Sequence, residues 1–131
     1  TYGDGVSNVN IKSLVDFHMN HGRIATMTTV NVGQRFGVLD ISDDGRIEAF
    51  REKSDEDGSM INAGFMVMKP AIFDYIAGDE AVLEKEPLET VAAQGQLMAY
   101  HHEGYWQCMD TQRDKRLLEE LWATNPPWRC W

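Results

Sequence analysis

Two aspartates occupy positions from which a carboxylate can hold a metal ion. Asp4 lies between Gly3 and Gly5, and Asp110 follows the aromatic-rich stretch Tyr105-Trp106-Gln107-Cys108-Met109 just before a helix-capping pattern. Glycines on both sides let a backbone approach a ligand closely and leave the carboxylate unobstructed. A lone Gly-Asp-Gly is equally an ordinary turn, and Asp110 alone is an ordinary strand-end acid. Together, two strand-end acids suit magnesium, which prefers carboxylate oxygens, keeps several waters and takes its remaining ligands from substrate phosphates. Glu52-Lys53 closes a candidate strand, and Asn62-Ala63-Gly64 lies in the next one. A lysine at a strand end can meet a phosphate as a point charge, but spacing alone favours a solvated surface residue. An asparagine in a buried strand must find partners for its amide, whether from a ligand or from the core.

Other constellations are weaker. Asp40 to Gly45 begins like a calcium loop, yet its twelfth position is Arg51 where a bidentate glutamate belongs, and its flanks alternate like strands. His101 and His102 are adjacent in a strand-like segment and so project to opposite faces, which does not suit one zinc ion. Asp79, Glu80, Glu84, Glu86 and Glu89 form a solvated acidic face around a helix start, where the helix dipole favours negative charge.

The elements that must position these residues alternate along the chain. Asn10 with Ile11, Leu14 and Val15, closed by Gly22, predicts an amphipathic helix with an N-cap and a C-terminal glycine. Ile24–Val30 reads as a strand, and Phe36–Ile41 and Arg46–Glu52 flank Asp43-Asp44-Gly45 as a hairpin. Met60–Met68 is nearly all apolar and is expected to be a central strand buried on both faces. Pro70 and Pro87 each fit the first position of a helix, the second one stopping at Gly95. Leu97–His101 and Gly104–Met109 are strand-like. Thr111 and Asp114 make a capping box for a last helix carrying Leu117, Leu118, Leu121 and Trp122. The tail through Trp128 and Trp131 is irregular but apolar enough to dock. No strand precedes Asp4, which suggests missing sequence upstream.

The 131 residues suffice for one domain, 1–131, and 43% hydrophobic with 25% charged residues is the balance of a folded globular chain. Twelve Lys and Arg against 21 Asp and Glu leave a net charge of −9, which repels nucleic acid and anionic membrane surfaces. The uncharged run Met60–Met68 is far short of the roughly 20 residues that span a bilayer. With no signal-peptide pattern, and with Cys108 and Cys130 too isolated for a disulfide framework or zinc site, the expected location is the cytoplasm and both thiols are expected to be free.

Thr1-Tyr2-Gly3-Asp4-Gly5-Val6, Arg35-Phe36-Gly37, Glu52-Lys53, Ile61-Asn62-Ala63-Gly64-Phe65, Glu86-Pro87-Leu88-Glu89 and the stretch Tyr105 to Thr111 occur in a telling order. It is the order seen in the glucose-1-phosphate cytidylyltransferases, sugar-nucleotide pyrophosphorylases that make CDP-glucose. The chain resembles that family over essentially its whole length. The resemblance implies that a phosphate oxygen of glucose 1-phosphate attacks the α-phosphorus of CTP and expels pyrophosphate, with Mg2+ as cofactor. It implies Asp4 and Asp110 as metal-binding acids and Lys53 as the lysine on the sugar phosphate. It also implies Glu52 as a sugar-hydroxyl acceptor, and Asn62 with Gly64 as part of the glucose pocket. Ser54 and Ala63 depart from the usual proline and glycine, and Asn31-Val32-Gly33-Gln34 stands where prolines are common.

The family's glycine-rich Gly-Gly-x-Gly-Thr-Arg loop does not occur in the sequence. The expectation is therefore an α/β fold, a partial Rossmann-like mixed sheet with flanking helices. It would correspond to the C-terminal, sugar- and metal-binding half of the nucleotidyltransferase fold, inactive alone. Ligands of such sheets lie at the carboxyl ends of the strands. An unpaired sheet edge would be covered by a homo-oligomer or by an N-terminal half supplied in trans. The competing expectations are a non-catalytic sugar-phosphate-binding or oligomerisation module, and a truncated reading frame without function.

Overall fold

The structure, a computed structural model, describes residues 3–31, 38–41, 47–51 and 60–130, the two short middle stretches as backbone only. Glu52, Lys53, Arg35-Phe36-Gly37 and the Asp43-Asp44-Gly45 turn lie outside the described residues. Among the described residues, seven strands and three α-helices alternate as β1 Gly5–Ser7, α1 Ile11–His21, β2 Ala25–Asn31, β3 Val38–Ile41, β4 Ile47–Arg51, β5 Met60–Met68, α2 Glu86–Ala93, β6 Leu97–His101, β7 Trp106–Cys108 and α3 Gln112–Thr124, with a 3-10 helix at Pro70–Tyr75. The architecture is mixed α/β. Strands β3 and β4 pair antiparallel, as the hairpin pattern predicts.

One expectation fails. In the three-stranded sheet the order is β5-β2-β6, so the threonine-rich β2 is central and the apolar β5 lies at its edge among the described residues. β5 runs antiparallel to β2 and β6 runs parallel to it. Ala63 is the one fully buried residue of β5, and Met60 at its start is 47% exposed. In β2, by contrast, Ala25, Thr26 and Thr28 have no exposed surface. An apolar run signals burial without saying on how many sides. Threonine can occupy a central strand when its hydroxyl is satisfied, since its branched Cβ fits the pleat.

Thr26 is satisfied by α1. The Arg23 N–H donates to His21 Nδ1 at 3.0 Å, so the ring proton sits on Nε2 and is given to Thr26 Oγ1 at 2.7 Å. The Thr26 hydroxyl in turn donates to His18 Nδ1 at 2.9 Å. This directed chain needs both imidazoles neutral. Their pKa values are both lowered, His18 by burial and then by His21 and Lys69, His21 by burial and then by Arg23 and Lys69. Phe17 seals the node with edge contacts to His21 and to Tyr100 of β6.

The helix ends follow the sequence signals. Asn10 accepts from Ser13 N–H at the start of α1, and Gly22 closes it at φ 66°. Gly95, at φ 67°, closes α2: its N–H reaches Ala92 O while Gln96 N–H reaches Val91 O, so two otherwise orphaned carbonyls are satisfied. Lys69 donates to Gly22 O and Arg23 to Gly95 O, placing a cation at each helix C-terminus where the dipole favours it. The core below these caps is Ala25, Ile72 and Val91, packed by Ile24, Met68, Tyr75, Leu83 and Leu97. The tail docks through Trp128, whose ring lies 5.6 Å from that of Tyr105 and 6.5 Å from that of Trp122.

Candidate active site

A short ribbon carries the two aspartates. β1 pairs antiparallel with β7 in the register Gly5↔Cys108, Val6↔Gln107 and Ser7↔Trp106. No strand signal marks Gly5–Ser7 in the sequence, because three residues are too few for a periodicity. The Met109 N–H donates to Asp4 O at 3.0 Å, extending the ladder one step and bringing Asp4 beside the residue that precedes Asp110. Residues 106 positions apart thus end on adjacent strand termini. Only Asp110 stands at a carboxyl end, however. Asp4 precedes the N-terminal end of β1, and it is the antiparallel pairing that makes the two ends coincide.

A Cβ at Gly3 would meet nothing within 4 Å, and one at Gly5 would make ordinary contact, 3.6 Å from Trp106 Nε1. Packing among the described residues does not require these two glycines. Gly104 is different. A Cβ there would stand 2.6 Å from His102 Cε1, where the loop folds back so that His102 Nε2 meets Ser7 Oγ at 3.1 Å. His102 thereby belongs to the far end of the ribbon, while His101 lies 3.9 Å from Glu103.

The ribbon is tied to β5 at the predicted sugar segment. The Trp106 indole N–H donates to Ala63 O at 2.9 Å. Pairing jumps from Met27↔Met66 to Thr29↔Asn62, so Ala63, Gly64 and Phe65 face the single residue Thr28 across a bulge. Gly64 sits at φ 85°, a left-handed conformation that disfavours any other residue, and its N–H is taken by Asn62 Oδ1 at 2.9 Å. Bulges of this kind re-aim side chains next to binding sites. The Thr28 hydroxyl opposite is buried with no hydrogen-bond partner among the described residues. Asn62 and Gly64 are therefore brought to the ribbon that carries Asp4 and Asp110, through an indole contact that nothing in the sequence pattern announces.

Asp4 is partly buried and Asp110 exposed. Hard carboxylate oxygens carried at adjacent strand ends are of the donor type that Mg2+ takes. The Cys108 thiol is 3.0 Å from Asp110 Oδ2 and donates to it. Burial, the bond to Asp110 and the charges of Asp110 and Asp114 push its pKa up to about 11, which keeps the thiol protonated at neutral pH. Burial likewise raises the pKa of Tyr105. Both cysteines are free, and among the described residues no helix is long and apolar enough to cross a membrane.

The nucleotidyl transferase family model matches residues 2–123. The chain is 50% identical over its full length to glucose-1-phosphate cytidylyltransferase of Salmonella typhi, and covers 51% of that protein. It is 32% identical to mannose-1-phosphate guanyltransferase of Saccharomyces cerevisiae across 88% of this chain and 33% of that one. In three dimensions HddC from Yersinia pseudotuberculosis superposes with a TM-score of 0.64 at 18% identity, over 91% of this chain and 52% of that one. The chain thus spans about half the length of the Salmonella relative it matches. The match of the family model across residues 2–123 makes the chain a member of the nucleotidyl transferase family.

Proposed function

We propose that this chain forms the sugar-1-phosphate- and metal-binding side of a glucose-1-phosphate cytidylyltransferase that acts in the cytoplasm. The observation that carries the reading is the juxtaposition of Asp4 and Asp110 at one end of the β1–β7 ribbon, next to the Asn62–Gly64 bulge. The 50% identity to the Salmonella cytidylyltransferase supports the choice of sugar and base. Asp4 and Asp110 would hold Mg2+, which when bound screens the charge that develops on the phosphates. Asn62 and Gly64 shape the hexose pocket, Lys53 meets the sugar phosphate and Glu52 accepts from a sugar hydroxyl. Positioning of the attacking phosphate oxygen and electrostatic support at the α-phosphorus supply the acceleration. No Gly-Gly-x-Gly-Thr-Arg loop is present to cradle CTP, so the chain alone is taken to be catalytically incomplete.

The test has two arms. Glucose 1-phosphate with Mg2+ should raise the melting temperature of the chain and fail to do so in Asp110→Asn. A coupled pyrophosphate assay with CTP should show no turnover by the isolated chain; turnover that Asp110→Ala abolishes would overturn the claim of incompleteness. A second reading, in which the chain is an oligomerisation module, is favoured by a row of exposed apolar residues one turn apart on α1. Ile11, Val15 and Met19 are 54, 38 and 69% exposed. A second copy, or an N-terminal half supplied in trans, would cover them. Sedimentation as a monomer at micromolar concentration, alone and with the separately expressed half, would remove that reading.

A further inference from the structure

Asp110 stands in the two-residue link between β7 and the cap of α3, and that link is bracketed from both sides. On the helix side, Asp114 is 94% removed from solvent, and its Oδ2 accepts from Thr111 N–H at 3.0 Å and from the Thr111 hydroxyl at 2.8 Å. Asp114 N–H donates back to Thr111 Oγ1 at 3.2 Å, which completes the capping box. A helix cap needs no more than these two residues. A third is nevertheless present: the Gln107 amide of β7 donates to Asp114 Oδ1 at 3.4 Å and to Cys108 O at 2.9 Å. One amide therefore ties the end of the strand to the start of the helix, spanning the link from which Asp110 projects. On the remaining side, Met109 N–H is held by Asp4 O.

We propose that Gln107 is a positioning residue for Asp110, holding the backbone on both sides of it so that its carboxylate is fixed relative to Asp4 before a cation arrives. The argument rests on the metal reading given above. Partners that orient a ligand, without touching the metal, commonly change affinity by roughly 10–100-fold when removed. Gln107 reaches α3 through Asp114, while the neighbouring Trp106 reaches Ala63 and the capping box is made by Thr111 and Asp114 themselves, so its replacement leaves the indole contact and the capping box intact.

The experiment measures Mn2+ binding to the 131-residue chain by electron paramagnetic resonance, with helical circular dichroism recorded on each variant. Gln107→Met keeps the length of the side chain and removes the amide; it should weaken Mn2+ binding roughly tenfold while the dichroism stays that of wild type. Gln107→Glu is the second variant. Its added negative charge would tighten cation binding by simple attraction, whereas repulsion from the buried Asp114 would open the bracket, so the inference requires weaker binding. Wild-type affinity in Gln107→Met, or tighter binding in Gln107→Glu, overturns the positioning role. If wild type binds Mn2+ and Asp110→Asn does not, the metal reading stands whatever Gln107 does. If wild type binds none, both fall.

Discussion

The α1–β2 node and the β1–β7 strand end are built to opposite specifications. At the node, Thr26 has no exposed surface and His18 2%, and donors and acceptors run in one direction from Arg23 N–H to His18 with every step closed. At the strand end, Asp4 and Asp110 are brought together by backbone pairing, and their carboxylates remain open to solvent or to a weak thiol donor. Where a chain completes its own hydrogen bonds in the interior, the arrangement supports the fold. Where it places hard acceptors at adjacent strand ends and spends only one of them, on a weak thiol donor, the arrangement is available to a ligand.

The largest effect on stability should come from the node. Thr26→Val keeps the shape and leaves the His21 Nε2–H without an acceptor, costing about 2–3 kcal/mol in urea unfolding. A loss below about 0.5 kcal/mol would mean that the relay is ornamental and the contrast between the regions false. Gly64→Ala forces an L-residue into a left-handed backbone and should cost about 1–2 kcal/mol; it also lies at the bulge, so its effect on the glucose 1-phosphate thermal shift should exceed that of an equally destabilising core substitution.

Acidification sharpens the comparison further. The folded pKa values of His18 and His21 are depressed, chiefly by burial and with Lys69 and Arg23 nearby, so the unfolded chain binds more protons than the folded one below about 6.5. Stability is full above that pH and falls as the pH drops through the window towards the folded values. The urea midpoint should therefore drop between pH 7.5 and 5.5, and His18→Gln should flatten that dependence. Smallest of all, Asp110→Asn should shift the unfolding free energy by no more than about 0.5 kcal/mol while removing the metal-dependent thermal shift completely. At pH 7.5, iodoacetamide should label Cys130 ahead of Cys108, whose thiol is held near 11; faster labelling of Cys108 would contradict its bond to Asp110.

Much of the local structure was legible from residue types. Asn10, Gly22, Pro70, Pro87, Gly95, Thr111 and Asp114 mark helix ends through steric and hydrogen-bonding preferences that act within four residues. The two aspartates were legible as a candidate metal-binding pair, but the β1–β7 pairing that brings them to adjacent strand ends was not, since β1 is too short to leave a periodic signature and its partner lies a hundred residues away. The central position of β2 was not legible either. A threonine-rich strand looks half-exposed until the imidazoles of a helix are brought to its hydroxyl.

The order of residues by itself determined where helices begin and end, which segments extend, the acidic balance and the family membership, because each follows from local preference or from motif identity. Only the tertiary structure decided which strand is central, that the Trp106 indole joins the ribbon to the Ala63 bulge, and that Gln107 reaches Asp114 across Asp110. Those are contacts between surfaces that exist only once strands have paired. Their energies depend on burial and direction, which no linear spacing encodes.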